Sequence, residues 1–135
     1  MKVKVSRKAH FNAAHRLYRE DWDEERNRDV FGKCSNPNYH GHNYELTVSV
    51  FGEIDPATGF VMDMKVLKEI IRTEVEEALD HKNLNLEVAE FKKLNPTAEN
   101  IAICIWNKLR PHIPAEKLLE VVLYETPRNF VTYTG

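Results

Sequence analysis

The chain reads as an α+β protein, an antiparallel sheet with helices packed on one face. Three observations point there. A clean two-residue alternation runs from His42 to Phe51. Two apolar stripes at helical spacing follow it, and strand signals sit in pairs at the two ends. Hairpin strands with grouped helices favour this layered class over strictly alternating strands and helices. The expected order is β-β-α-α-β-β, a four-stranded antiparallel sheet with two helices on one face.

Each element has its own reason. Val3 to Ala13 reads as a first strand, with β-branched Val3 and Val5. In the second strand, Tyr44, Leu46, Val48 and Val50 face one way and Asn43, Glu45, Thr47 and Ser49 the other. Turn chemistry fills Gly52 to Gly59. Asp63 is a helix N-cap residue, and Met64, Leu67, Ile71, Val75 and Ala78 fall on one helical stripe. That helix should end near Leu79. Thr97 caps a second helix through Ile101, Ile105 and Leu109, which stops before Pro111. Leu118 to Thr126 and Asn129 to Tyr133 read as a closing hairpin, turned at Pro127-Arg128.

Composition narrows the class. The chain has 135 residues, 42% hydrophobic and 30% charged, which fits one soluble globular domain over 1–135. With a formal net charge of -2 and no Lys/Arg run, it lacks a nucleic-acid footprint. Arg19 to Arg28 mixes both signs and reads as a solvated loop or helix face. No apolar run is long enough to span a bilayer, and Met1 to Lys4 lacks the apolar core of a signal peptide. Two cysteines suit a reduced, cytoplasmic protein. A small sheet leaves two open edges, a physical reason to expect an oligomer.

His40 and His42 lie two apart at the start of a strand, so both imidazoles share a face. His15 ends the strand that pairs with it. Three convergent imidazoles hold zinc with a fourth position open, as a catalytic metal needs. The competing reading is a turn with ordinary histidines. Cys34 sits in a loop of turn-forming residues, where Lys33 and a nearby metal would favour its thiolate. From the residues alone, Cys34 is either a reactive thiolate or a fourth ligand that closes the site. Cys104 lies in the apolar second helix and reads as a core thiol. Asp80 beside His81 can fix an imidazole tautomer, although adjacency alone does not require it. Glu125 ends the third long strand. His10 and His112 receive no role.

Several segments together resemble the 6-pyruvoyltetrahydropterin synthase family. They are Phe11-Asn12-Ala13-Ala14-His15-Arg16-Leu17, Cys34 through Gly41-His42-Asn43-Tyr44, and Leu79-Asp80-His81-Lys82-Asn83-Leu84. Pro96-Thr97-Ala98-Glu99-Asn100 and Tyr124-Glu125-Thr126 complete the set. The resemblance implies a tunnelling fold whose trimers stack into a homohexamer. It implies zinc on His15, His40 and His42, with Cys34 as catalytic base and not a ligand. It implies that Asp80 and His81 are catalytic partners supplied by a neighbouring subunit. Glu125 would grip the pterin, since a carboxylate accepts two parallel N–H donors at once. Thr97 and Glu99 would help to line the pterin pocket.

The implied substrate is 7,8-dihydroneopterin triphosphate and the implied product 6-pyruvoyltetrahydropterin, with loss of triphosphate and no redox cofactor. A related branch, 6-carboxytetrahydropterin synthase, releases acetaldehyde and serves queuosine synthesis. Five residues between Cys34 and His40 resemble the biopterin branch, whereas Asp63 resembles the queuosine side. A pterin- or zinc-binding module without activity is the alternative of a different class. Cys34, Asp80 and His81 argue against it, because a binder needs none of them.

Overall fold

The computed structural model describes residues 1–135. Two long strands form its spine. Strand β1 (Lys2–His15) pairs antiparallel with β2 (His40–Glu53) along its whole length, from Lys2 opposite Glu53 to His15 opposite His40. Both run further than the alternation suggests, so all three candidate ligands lie inside strands. Strand β4 (Leu118–Tyr124) pairs with β2, and β5 (Phe130–Tyr133) with β4.

The sheet has five strands and not four, in the order β3-β1-β2-β4-β5. The added strand, β3 (Lys82–Asn83), pairs parallel with β1 at Ala13 and Ala14. Two residues are too short to show any alternation, so no sequence pattern announces β3.

There are also more than two helices. The Arg19–Arg28 stretch ends in α1 (Glu24–Phe31), capped by Asp23, whose side chain accepts from the Arg26 backbone N–H. Asp63 caps α2 (Met64–Ile71), which passes through a π-helical turn, Arg72–Glu76, into α3 (Glu77–Leu79). A single turn, α4 (Leu84–Glu87), precedes α5 (Ala98–Leu109), which Thr97 caps as expected.

Register decides which residues meet the helices. Residues directly opposite in a ladder share a face. Val50, Val48, Leu46 and Tyr44 are therefore joined by Leu119, Val121 and Leu123 from β4 and Phe11 and Ala13 from β1. All are buried, against Leu67, Ile71 and Val75 on one helix and Ile101, Ile105 and Leu109 on the other. Trp106 ties α5 to the sheet, its indole N–H donating to the Leu119 carbonyl at 2.9 Å. The other face carries Lys4, Ser6, Lys8, His10 and Asn12, with Asn43 and Glu45 beside the last two. No helix is long and apolar enough to cross a membrane.

Candidate active site

The site stands at the end of the core face where the apolar residues stop. His15 faces His40 across the ladder, and His42 sits two residues on, opposite the small Ala13. That register puts the three imidazoles on one face, with ligand nitrogens within 4.8 Å of one another. Their rings stand edge to face, with centroids 4.5 to 5.0 Å apart.

Hydrogen-bond bookkeeping tests whether a metal suits them. His15 Nδ1 lies 2.7 Å from the Pro96 carbonyl, which only accepts, so Nδ1 carries the proton and Nε2 keeps its lone pair. His15 Nε2, both ring nitrogens of His40 and His42 Nε2 are buried with no partner. Buried polar atoms are normally paired, and three neighbouring imidazoles that each carry an orphaned nitrogen need a shared explanation. Burial depresses His15 to about 4, the neighbouring imidazoles adding to it, and pushes His40 down as well. One nitrogen from each of the three imidazoles, all within 4.8 Å of one another, fits a divalent zinc-type ion. The Pro96 carbonyl is the outer partner that fixes the ring of a ligating histidine. The Tyr44 hydroxyl also reaches His15 Nδ1, at 3.3 Å.

Cys34 is near enough to Glu125 and Tyr44 to act on them electrostatically, but it is not a member of the ligand group. It sits on a 3₁₀ turn, Gly32–Ser35, anchored by the Leu17 N–H donating to the Cys34 carbonyl at 2.8 Å. Burial and the Glu125 carboxylate both push its thiol up. The expectation that Lys33 favours the thiolate is therefore corrected: the protein groups acting on Cys34 oppose it. A cation held by the histidines would act the other way.

Glu125 follows β4, two residues beyond buried Leu123, and so falls on the imidazole face. Its Oε1 is 3.9 Å from His42 Nε2. Thr97, Glu99 and Glu125 line one cavity of about 510 Å³, with Leu17, Phe31 and Phe130 among its walls. The Thr97 hydroxyl is also committed, accepting from the Asn100 N–H at 3.2 Å.

Asp80 and His81 sit elsewhere. Asp80 accepts from the Asn12 N–H at 2.8 Å and contacts His81 Nδ1 at 2.9 Å, so the adjacent pair does touch. The bond from Asn12, then His81, holds the Asp80 carboxyl below its ordinary range. The His81 N–H binds the Asn12 carbonyl, and its backbone has φ +59°, a rare conformation for a non-glycine residue. Its ring is 78% exposed and lines a groove of about 540 Å³ that the candidate ligand His42 also borders and that neither Cys34 nor Glu125 does. Within one protomer, His81 and the thiol share no cavity.

Sequence reading missed two partners. The Pro96 carbonyl has no side-chain signature, and Tyr44 looks like any core strand residue. Its place two residues after His42 on one strand face was the available signal. Cys104 is a buried thiol, which burial pushes up to about 11. His112 does have a partner, Glu74 at 3.1 Å, although neither approaches the site.

Comparisons with known proteins give the family. A family described as 6-pyruvoyl tetrahydropterin synthase matches residues 4–135. The 6-pyruvoyl tetrahydrobiopterin synthase of Pongo abelii is 48% identical over 133 residues, spanning 98% of this chain and 92% of that one. A dihydroneopterin monophosphate aldolase of Pyrococcus furiosus is 37% identical over 126 residues, spanning 93% and 91%. The solved Caenorhabditis elegans 6-pyruvoyl tetrahydropterin synthase superposes with a TM-score of 0.94 at 39% identity, over 100% of this chain and 96% of that one. With its imidazole cluster, neighbouring thiol and glutamate-lined cavity, the chain belongs to the 6-pyruvoyl tetrahydropterin synthase family.

Proposed function

We propose that the site converts 7,8-dihydroneopterin triphosphate into 6-pyruvoyltetrahydropterin with loss of triphosphate. One observation carries the reading furthest: three imidazoles with orphaned nitrogens each bring one ligand atom within 4.8 Å of the others, near a carboxylate-lined cavity. His15, His40 and His42 would hold zinc, which when bound supplies Lewis acidity at the hydroxyls of the substrate's three-carbon arm.

The remaining work belongs to side chains. Glu125 accepts the paired N–H donors of the pterin and fixes its orientation. Thr97 and Glu99 wall the same cavity. Cys34 Sγ takes a C–H proton from the three-carbon arm, and His81 moves protons while Asp80 holds its Nδ1. Hydrogen is only redistributed within the substrate, so no redox cofactor is required. Because His81 is exposed at the β1 edge, it serves Cys34 of a neighbouring subunit in this scheme. The outer edge of β1 is unpaired from Lys2 to Phe11, which suits a sheet continued across subunits in a homohexamer. We read 1–135 as one such domain, with free thiols that suit the cytoplasm.

The queuosine branch rests on Asp63. That residue caps α2, its side chain accepting from the Lys65 N–H at 2.8 Å, so the fold accounts for it without a catalytic role. Mass spectrometry of the product from dihydroneopterin triphosphate tests the proposal. A pyruvoyl product is expected. A carboxy product with acetaldehyde would move the protein to the other branch, and binding without turnover would leave a pterin module.

A further inference from the structure

The substrate proposed above carries a polyanionic tail, and nothing in the Glu99–Glu125 cavity is built for one. Each cavity can be weighed by its charges. The largest, about 880 Å³ at the far end of β2, sets four carboxylates (Glu53, Asp55, Asp63 and Glu116) against two lysines. A second, of about 620 Å³, holds Arg19, Lys92 and Lys93. There Asp21 grips Arg19 with two bonds, at 2.8 and 2.7 Å, and Lys92 is bound to the Leu86 carbonyl. The Glu99–Glu125 cavity sets one arginine against two glutamates.

One cavity is different. Between α1 and the turn that carries Cys34 lies a space of about 280 Å³ with no hydrophobic lining. Arg16, Arg28 and Lys33 face it, with Glu24 the single carboxylate. None of these four makes an ion pair. Three cations left uncompensated in one concave site are an anion-binding arrangement, since opposed charge is what would offset their mutual repulsion.

The cavity is also stiff and tied to the chemistry. Arg16 follows the candidate ligand His15 in the sequence, and Lys33 and Ser35 flank Cys34. Arg16 Nε donates to the Ser35 carbonyl at 2.8 Å, and its guanidinium lies 3.8 Å over the Tyr18 ring. Its two terminal nitrogens make no hydrogen bond within the protein, in the fork geometry that suits phosphate. The Ser35 hydroxyl donates to the Gly32 carbonyl at 2.8 Å, and the Gly32 N–H to the Arg28 carbonyl. Gly32 itself has φ +60°, and no atom stands within 4 Å of where a side chain would begin, so the wall there stays open. One turn thus bears Cys34 and also closes the cationic cavity.

We infer that this cavity binds a polyphosphate, and that Arg16, Arg28 and Lys33 hold the triphosphate tail of the substrate. The assignment of the tail rests on the proposed function; the polyphosphate site does not. Inorganic tripolyphosphate is the probe, titrated calorimetrically into wild-type protein and into Arg28→Ala, Lys33→Ala and the double variant. Both residues are exposed and neither side chain makes an ion pair, so folding should survive their loss. Each single change should weaken binding about tenfold, the usual cost of one charge-assisted hydrogen bond. Glu24→Gln should tighten it, and added salt should weaken it in the wild type. With substrate, the double variant should raise KM while phosphate-free dihydroneopterin binds as before.

Three results would overturn the inference or part of it. Unchanged tripolyphosphate binding in the double variant would remove the site. Equal weakening of dihydroneopterin would mean that the variant had disturbed the Cys34 turn and that Arg28 and Lys33 do not hold phosphate. Tripolyphosphate that binds through Arg28 and Lys33 without competing with substrate would make this a free-polyphosphate site and end the tail assignment. Failure of the proposed reaction looks different: wild-type protein would bind tripolyphosphate through these residues and still not turn over the substrate.

Discussion

At the scale of single residues, the site divides into groups that bind and groups that move protons. Cys34 stands outside the imidazole ligand group, so its loss should spare the metal. Cys34→Ala should retain about one zinc per protomer and lose on the order of a hundredfold in turnover, the contribution of a proton-transfer group. His40→Ala or His42→Ala should instead strip the metal, because three protein ligands are the minimum of such a site. Metal analysis beside activity separates the two outcomes, and zinc release from Cys34→Ala would make the cysteine a ligand. Glu125→Gln exchanges a double acceptor for one acceptor and one donor. Facing two pterin N–H groups, it should cost about 1–3 kcal/mol of binding, roughly tenfold to a hundredfold in Kd. Unaltered pterin affinity would take Glu125 out of the site.

At the scale of elements, capping residues explain features that a motif search would credit to function. Asp63 caps α2 and Thr97 caps α5, each accepting a backbone N–H of the first turn. Asp63 lies far from the imidazoles, beside Val61 and Met62 at the opposite end of β2. Asp63→Ala should therefore cost about 1 kcal/mol of stability, as lost caps do, with kcat unchanged. Chemical denaturation and a steady-state assay on one preparation check both halves. A large loss of kcat with unaltered stability would return Asp63 to the chemistry. The strand ladder shows the opposite relation, in which an element creates the site. Placing His15 opposite His40 brings together two residues 25 positions apart in the sequence, and a slip of one residue would turn His15 to the other face.

At the scale of the whole molecule, the separation between His81 and Cys34 becomes a statement about assembly. Cys34→Ala and His81→Ala should each be inactive alone. If subunits of the two are dissociated, mixed equally and reassociated, about a quarter of shared sites should regain both residues in a symmetric oligomer. Mass spectrometry of tagged subunits reports mixing, and a wild-type sample treated alike reports recovery. Mixed oligomers without regained activity would place the whole site within one protomer and leave the zinc and pterin roles standing.

The sequence by itself determined the α+β class, both long strands, the two principal helices and their caps. These are set by period and by residues acting on their immediate neighbours, which a linear pattern records. The pairing of His40 with His42 was equally legible, because two residues along a strand always share a face. Tertiary structure alone decided the rest. The Pro96 carbonyl that fixes His15 comes from 81 positions away. The two-residue strand β3 exists only because β1 offers it an edge. Burial, and then the Glu125 carboxylate, raise the Cys34 thiol only through the fold, and neighbouring Lys33, prominent in the sequence, does not offset them. Cationic residues from three segments converge on one cavity for the same reason. Local propensity is written along the sequence, but register, burial and through-space charge depend on which distant segments packing brings together.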